Sequence, residues 1–321
     1  MRSPQHSAEY VLPLRWDEDA DLPELTGYLA ELVVLLDVTV VDGSRADLFE
    51  RHRAAFPAAV RHLAPAAWPG ANGKARGVMT GIQAARHDRV VIADDDVRYD
   101  AATIAAVLHR LGDADLVRPQ NVFRPSRWHA RWDTGRTLLN RVWGGDYSGT
   151  LGVRRSFVLA RGGYDGDVLF ENLELERTVL AHGGRVDVAS DVFVVRLPPT
   201  PAQFWNQRVR QAYDDFAQPA RLALHLAILP ALGWALSARR PGVVAAGAAA
   251  AIGLAEVGRR RDGGAAVFDG TAALWAPVWL LERALAIWIA LGCRLRGGVR
   301  YRDTRIFRAA SSIRSLRRRS A

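Results

Sequence analysis

Val90-Val91-Ile92-Ala93-Asp94-Asp95-Asp96 joins a dense apolar run to three consecutive carboxylates, and that junction decides the fold class. A run that is apolar on both faces reads as a strand covered on both sides, as in a parallel sheet flanked by helices. In open α/β sheets, ligands gather beyond the carboxyl ends of the strands. Three adjacent acids there repel one another unless a cation sits among them. An all-oxygen donor set suits Mg2+ or Mn2+, which bridge phosphate oxygens. The stretch therefore points to a metal-diphosphate site, while a solvated acidic turn is the competing reading of the triplet taken alone.

Working outward, residues 10–14 and 38–41 carry strand patterns and residues 22–36 and 73–85 carry helix patterns, so the chain reads βαβα into the Val90 strand. That order implies a mostly parallel sheet with helices on both faces. Each strand ends in polar punctuation: Pro13-Leu14-Arg15, Asp42-Gly43-Ser44 and Asp94-Asp95-Asp96. Asp42 is a short acceptor beside a permissive glycine, suited to reading a base or ribose, or equally to an ordinary Asx turn. Lys74 is the only lysine among 43 basic side chains. A lysine that persists where every other cation is arginine marks either a place where a planar fork does not serve or the chance survival of one surface lysine. A compact ammonium touching phosphate in a tight pocket is such a place. Its position at a predicted helix N-terminus, after Asn72-Gly73, favours an anion there.

These motifs, followed by Gly162-Gly163-Tyr164-Asp165 and Phe170-Glu171-Asn172, stand in the order seen in family 2 glycosyltransferases. The chain resembles the membrane-anchored bacterial members over roughly residues 8 to 215. The resemblance implies an α/β fold of GT-A type, a mostly parallel sheet flanked by helices and followed by a C-terminal α-helical membrane module. It also implies a nucleotide-sugar donor, inverting transfer, and Mg2+ or Mn2+ held by Asp94 and Asp96. Pro13, Arg15, Asp42, Lys74, Asp94 and Asp95 then fall on the donor side, Asp95 toward the ribose. Gly149 and Thr150 match a glycine-bearing strand on the acceptor side. Gln207 and Arg210 match a Gln-x-x-Arg-Trp motif in which Gln211 replaces the tryptophan.

Two departures stand out. Trp16-Asp17 occupies the place of the family's Asn-Glu, and the family's catalytic Glu-Asp reads Glu171-Asn172. An amide cannot take a proton from an attacking hydroxyl, so the base falls to Glu171, with Glu174 on the same helix face as the alternative. Between donor site and base, residues 118–150 are rich in Arg and Trp. Trp128 and His129 suit stacking on a sugar, although an anchoring Trp and a core His fit the same pattern.

Beyond Pro219 the composition changes. Residues 222–238 and 241–255 lack charge except at Arg239-Arg240, and residues 271–293 are apolar around Glu282-Arg283. The first two runs suit a spanning hairpin. The third must bury its charged pair against protein or lie in the interface. The basic end and the catalytic domain both belong on the cytoplasmic side, so the reading is an even number of crossings: two spans plus an interfacial or re-entrant third segment, with three or four crossings as the alternatives. The expected division is 1–217 catalytic, 218–298 membrane-embedded and 299–321 a basic cytoplasmic tail, in a multi-pass protein of the inner (plasma) membrane. No secretory signal is read in the polar start. A single cysteine excludes an internal disulfide and a Cys-rich zinc site. The net charge of +9 is concentrated near the membrane segments, which suggests anionic lipid rather than nucleic acid as partner. The expected acceptor is a lipid or lipid-linked molecule. A catalytically silent scaffold and a basic nucleic-acid-binding protein are the alternatives.

Overall fold

The computed structural model describes residues 6–146, 148–302 and 304–320. The chain forms two compact units that interleave along the sequence. The first comprises Met1–Pro119, Ser148–Ala189 and Ser312–Ala321; the second comprises Gln120–Tyr147 and Ser190–Ser311.

The first unit begins β1 (Ala8–Leu14), α1 (Leu22–Leu32), β2 (Asp37–Asp42), α2 (Ala46–Ala55), β3 (Arg61–Leu63), α3 (Gly73–Ala84), β4 (Arg89–Ala93), β5 (Val97–Arg98) and α4 (Ala101–Arg110). Strand β6 (Leu116–Phe123) starts here and runs on into the second unit, which then opens with α5 (Trp128–Arg141). The chain returns for β7 (Thr150–Arg154), α6 (Arg155–Ala160), α7 (Glu171–Ala181) and the start of β8 (Val186–Arg196). The sheet order is β3-β2-β1-β4-β7-β6, with β8 beyond β6 and the short β5 last. Strands β3, β2, β1 and β4 are mutually parallel, as the βαβα pattern predicts, whereas β7 runs antiparallel to both β4 and β6. That reversal matters for the site. Because β7 is antiparallel, its first residue, Thr150, pairs with Ala93 at the last position of β4, so Ser148 and Gly149 lie beside the aspartates.

Helix α3 lies directly on β1, and two glycines permit it. A Cβ at Gly81 would come within 2.2 Å of the Val11 side chain, and one at Gly77 within 3.1 Å of Pro13. Val11, Val78, Met79, Ile82, Val90, Ile92, Leu151, Val153, Leu175 and Val179 close the core around them. Each fully buried aliphatic contributes on the order of 1.5–3 kcal/mol, so the sheet edge rests on a rigid base. The last helix, α12 (Ile313–Ser320), also belongs to this unit. It packs on α7, with Leu316 buried and Arg319 paired with Asp165 at 2.8 Å. The basic end of the chain therefore contains a docked helix.

The second unit continues with α8 (Pro201–Ala212), α9 (Pro219–Ser237), α10 (Pro241–Arg260), α11 (Ala276–Leu295) and a two-stranded hairpin, β9 (Val299–Tyr301) with β10 (Thr304–Ile306). Three helical stretches, Pro219–Ser237, Pro241–Ala266 and Ala272–Leu295, are long and apolar enough to cross a membrane. The charged pair in the third is buried against protein. Arg283 donates to the Gln211 carbonyl at 2.7 Å, and Glu282 lies 3.5 Å from Arg208, whose guanidinium grips Asp133 at 2.6 and 3.1 Å. This is one of the two arrangements expected for a charge in the middle of an apolar run.

Candidate active site

The end of β4, the N-terminus of α3 and the N-terminus of α7 meet in the first unit, and each delivers one charged side chain. Asn72 caps α3, its side-chain oxygen accepting from the Lys74 and Ala75 amides at 2.9 and 3.3 Å. Its amide donates to the carbonyls of Val168 and Leu169 at 2.9 and 3.3 Å. One buried residue thus starts the lysine-bearing helix and ties it to the loop that leads into α7. That loop is itself fixed from below. The Trp68 indole donates to the Tyr164 carbonyl, and a Cβ at Gly163 would lie 2.6 Å from the Trp68 ring, which accounts for that glycine.

So placed, the Lys74 ammonium bridges the carboxylates of Asp94 and Glu171, with 2.5 Å to the latter. Burial pulls the ammonium pKa down, but the two carboxylates outweigh it and hold it above the ordinary lysine value. The group is charged at every physiological pH. The Lys74 and Asp94 side chains remain 24% and 20% exposed, and Glu171 9%, so all three can be reached from solvent. Glu174 is 0% exposed, one helical turn deeper. Of the two acids, only Glu171 faces the lysine and the strand end.

Asn172 explains its departure from the family pattern. Its amide donates to the Ser148 carbonyl at 3.0 Å, and the neighbouring Gly149 carbonyl accepts the Asp94 amide at 2.9 Å. An aspartate here would set a carboxylate against a carbonyl oxygen. Thr150 is wholly buried, bonded to the Ile92 carbonyl and to the Tyr99 hydroxyl, so it clamps β7 to β4. Gly149 and Thr150 thus position Asp94 from behind.

The other strand end is built differently. Asp42 is 1% exposed; its carboxylate accepts from the Ser44 amide at 2.9 Å and contacts His52 and His62 at 2.6 and 3.1 Å. Burial pushes its pKa up, but His62, Ser44 and His52 together prevail and bring it down to about 2. Trp16 meets His52 edge-on at 5.5 Å and donates its indole N–H to Asp95. A chain of contacts therefore runs from Asp42 through His52 and Trp16 to Asp95, linking the ends of β2 and β4. Sequence reasoning registered Trp16 only as a departure and missed both histidines. An imidazole is invisible to strand and helix periodicity, and nothing local connects residues 42, 52 and 62. Pro13 supports α3 at Gly77, and the exposed Arg15 lies near the backbone of Gly73.

The remaining candidates lie in the second unit. Trp128 is 44% exposed, but His129 is 1% exposed, lodged against Trp128 and Phe204 with Trp132 and Trp205 nearby. The histidine is a core residue of an aromatic cluster. Gln207 and Arg210 line a groove on α8.

The metal test rests on the donor set. Adjoining carboxylates at a strand end are hard oxygen ligands, yet among the described residues no three His, Cys, Asp or Glu side chains form a ready cluster for an ion. Mg2+ is ordinarily held by one or two carboxylates and completed by substrate phosphates and water, so a partly open strand-end carboxylate such as Asp94 suits a metal that arrives with a diphosphate.

The mixed sheet flanked by helices has the α/β architecture of the GT-A type. The model for "glycosyltransferase like family 2" matches residues 27–214, and the chain belongs to that family. It is a glycosyltransferase. The mannosyltransferase PcManGT of Pyrobaculum calidifontis, solved with GDP-Man and Mn2+, superposes with a TM-score of 0.52 at 19% identity. The match covers 88% of this chain and 87% of that one, and it shows the shared fold. Glucosyl-3-phosphoglycerate synthase of Mycobacterium tuberculosis, solved with Mg2+ and UDP, matches at a TM-score of 0.42 and 18% identity over 62% of this chain and 74% of that one. No curated protein matches the sequence.

Proposed function

We propose that the protein transfers a sugar, with inversion, from a nucleotide-diphosphate donor to a lipid or lipid-linked acceptor at the cytoplasmic face of the plasma membrane. The observation that carries this reading is Lys74 bridging the strand-end Asp94 and the helix-start Glu171. One cation is thereby held between the acid suited to the donor and the acid suited to the acceptor.

Glu171 takes the proton of the acceptor hydroxyl as that oxygen attacks the anomeric carbon. The carbon–oxygen bond to the diphosphate breaks with its electron pair, and no covalent glycosyl-enzyme forms. Lys74 offers its ammonium to the diphosphate oxygens, and Asp95, held by Trp16, faces the nucleoside side. Mg2+ or Mn2+, held by Asp94 and Asp96, would supply charge neutralisation on the departing diphosphate. Asp42 belongs to the donor side as a brace acting through His52 and Trp16. Arg15 and Pro13 flank the same edge. Gln207, Arg210, Trp128 and His129 belong to the second unit and stand as acceptor-side candidates from the sequence alone.

Membrane placement follows from chain path. The catalytic sheet and the C-terminal helix α12 belong to one compact unit, so the intervening segment leaves and returns on the same side. That supports an even number of crossings. Two spans from α9 and α10, with α11 re-entrant or interfacial around its buried Glu282-Arg283 pair, satisfy it. The division into residues 1–217 catalytic, 218–298 membrane-embedded and 299–321 cytoplasmic tail is proposed from the change of composition beyond Pro219.

Turnover of a panel of nucleotide sugars, with Mn2+ and with chelator, is the direct test, and mass spectrometry of lipid extracts from cells with and without the protein identifies the acceptor. Metal-dependent consumption of one donor, with a glycosylated lipid appearing in the extract, is expected. Absence of any metal-dependent turnover of the panel would contradict the reading and favour the silent scaffold.

A further inference from the structure

The second unit contains an open groove of about 470 Å3 between α8 and the β9–β10 hairpin. It is lined by Gln203, Asn206, Gln207, Val209 and Arg210 from the helix, by Arg300, Arg305 and Val299 from the hairpin, and by Cys293 from the last helical turn of α11. Three of these nine residues are arginines and none is acidic. Among the described residues of the lining there is no carboxylate to pair with the three guanidinium groups. Arg305 donates to the Gly298 carbonyl at 2.9 Å and Arg300 to the Arg302 carbonyl at 3.3 Å, contacts that orient the guanidinium groups without cancelling their charge. Gln203, Asn206 and Gln207 add neutral amide donors along one helix face. Guanidinium forks combined with amides suit a phosphate oxygen cluster, which accepts several hydrogen bonds at once.

Position selects the kind of phosphate. Cys293 stands near the end of Ala272–Leu295, one of the stretches apolar enough to enter a bilayer. Leu295, Trp205 and Phe307 are large apolar side chains exposed on the same unit, at 82%, 51% and 52%. An aromatic ring and arginines at the end of an apolar helix are the composition of the headgroup layer. We propose that this groove binds the phosphate of an anionic phospholipid headgroup, anchoring the hairpin and α8 to the membrane surface. The proposal goes beyond the transferase reading; it rests on the membrane placement of these helices and shares Gln207 and Arg210 with the acceptor candidates of that reading.

The single cysteine supplies a reporter that needs no donor sugar. The full-length protein in neutral detergent is treated with a maleimide, and the alkylation rate of Cys293 is followed with dihexanoyl phosphatidylglycerol, dihexanoyl phosphatidylcholine or inorganic phosphate. At a lipid concentration near ten times its dissociation constant, occupancy slows labelling about tenfold. The expected result is saturable protection by phosphatidylglycerol, little by phosphatidylcholine, and weak protection by phosphate. The Arg300→Gln/Arg305→Gln double variant loses that protection. Because altering the hairpin could disturb its fold, Asn206→Glu is the second variant: it places a carboxylate in the groove from an exposed helix position and should abolish protection too. Phosphate protecting as well as the anionic lipid would make this a soluble-anion site and overturn the lipid assignment. Undiminished protection in both variants would overturn the groove itself. Neither outcome touches donor turnover, so failure here stays separate from failure of the transferase reading.

Discussion

Two mutually parallel strands of one mixed sheet, β2 and β4, end alike in sequence and unlike in structure. Val40-Val41-Asp42 and Ile92-Ala93-Asp94 are both apolar runs closed by an aspartate. Asp42 is sealed beneath His52, His62 and the Ser44 amide, whereas Asp94 stays partly open and meets a lysine that also reaches Glu171. What separates them is the company the fold brings. Asp42 receives donors that bury and satisfy it, so its charge holds structure together. Asp94 receives one mobile-stemmed cation shared with another acid, so its charge is available to a ligand. A buried, fully partnered carboxylate costs its desolvation and returns stability only while its partners remain.

If that contrast is right, substitutions at the two ends should fail in different measurements. The largest effect belongs to Glu171→Gln, which removes the proposed base while keeping its shape. Transfer should fall by about 10²–10⁴-fold with the melting temperature little changed. Full activity in that variant would move the base elsewhere. Next, Lys74→Arg replaces a point charge with a fork that cannot sit between two carboxylates in the same way. Loss of a charge-assisted contact worth about 1.5–3 kcal/mol should weaken donor binding roughly ten- to hundredfold, read as a rise in KM. An unchanged KM would leave the sole lysine without a role in donor binding.

At the closed end the readout is stability. The pKa of Asp42 is lowered in the folded protein from 3.8 to about 2, so its contribution is fully present above pH 4 and is lost as pH falls toward 2. Converted by linkage, that contribution is on the order of 2 kcal/mol. Asp42→Asn should lower the melting temperature at neutral pH and flatten its decline on acidification between pH 4 and 2. A variant melting as the parent does at pH 7 would break the distinction between the strand ends. The smallest effect is expected for Asn172→Asp. Restoring the family's acid loses the tether to Ser148, at a cost of about 1–3 kcal/mol of stability. In a Glu171→Gln background it should not restore transfer, because the side chain points at a carbonyl. Rescue would show that this position can still reach the acceptor.

The βαβα order and the importance of the β4 edge were legible because a doubly buried strand and its acidic end are local patterns. Helix α3 began at Gly73 as read, and the structure adds that Asn72 caps it. Lys74 stood out by composition. Other features needed the fold. The antiparallel sense of β7 depends on a return from the second unit, and the His52–Asp42–His62 cluster joins residues that no periodicity relates. His129 stood open in the sequence between stacking on a sugar and lying in the core, and only its neighbours in the fold show it enclosed. Asn172 seemed a loss of function by composition, and only the position of the Ser148 carbonyl shows that the amide has a task of its own.

The central claim is that Asp94 and Asp96 at the end of β4 hold a divalent ion that brings in a nucleoside diphosphate. Calorimetric titration of UDP and GDP into the full-length protein, with Mn2+ and then with chelator, tests it most directly, alongside Asp94→Ala and Asp96→Ala proteins of unaltered melting temperature. The account predicts binding of one diphosphate that requires Mn2+ and is lost in both variants. Equal affinity in chelator, or in the two variants, would contradict it.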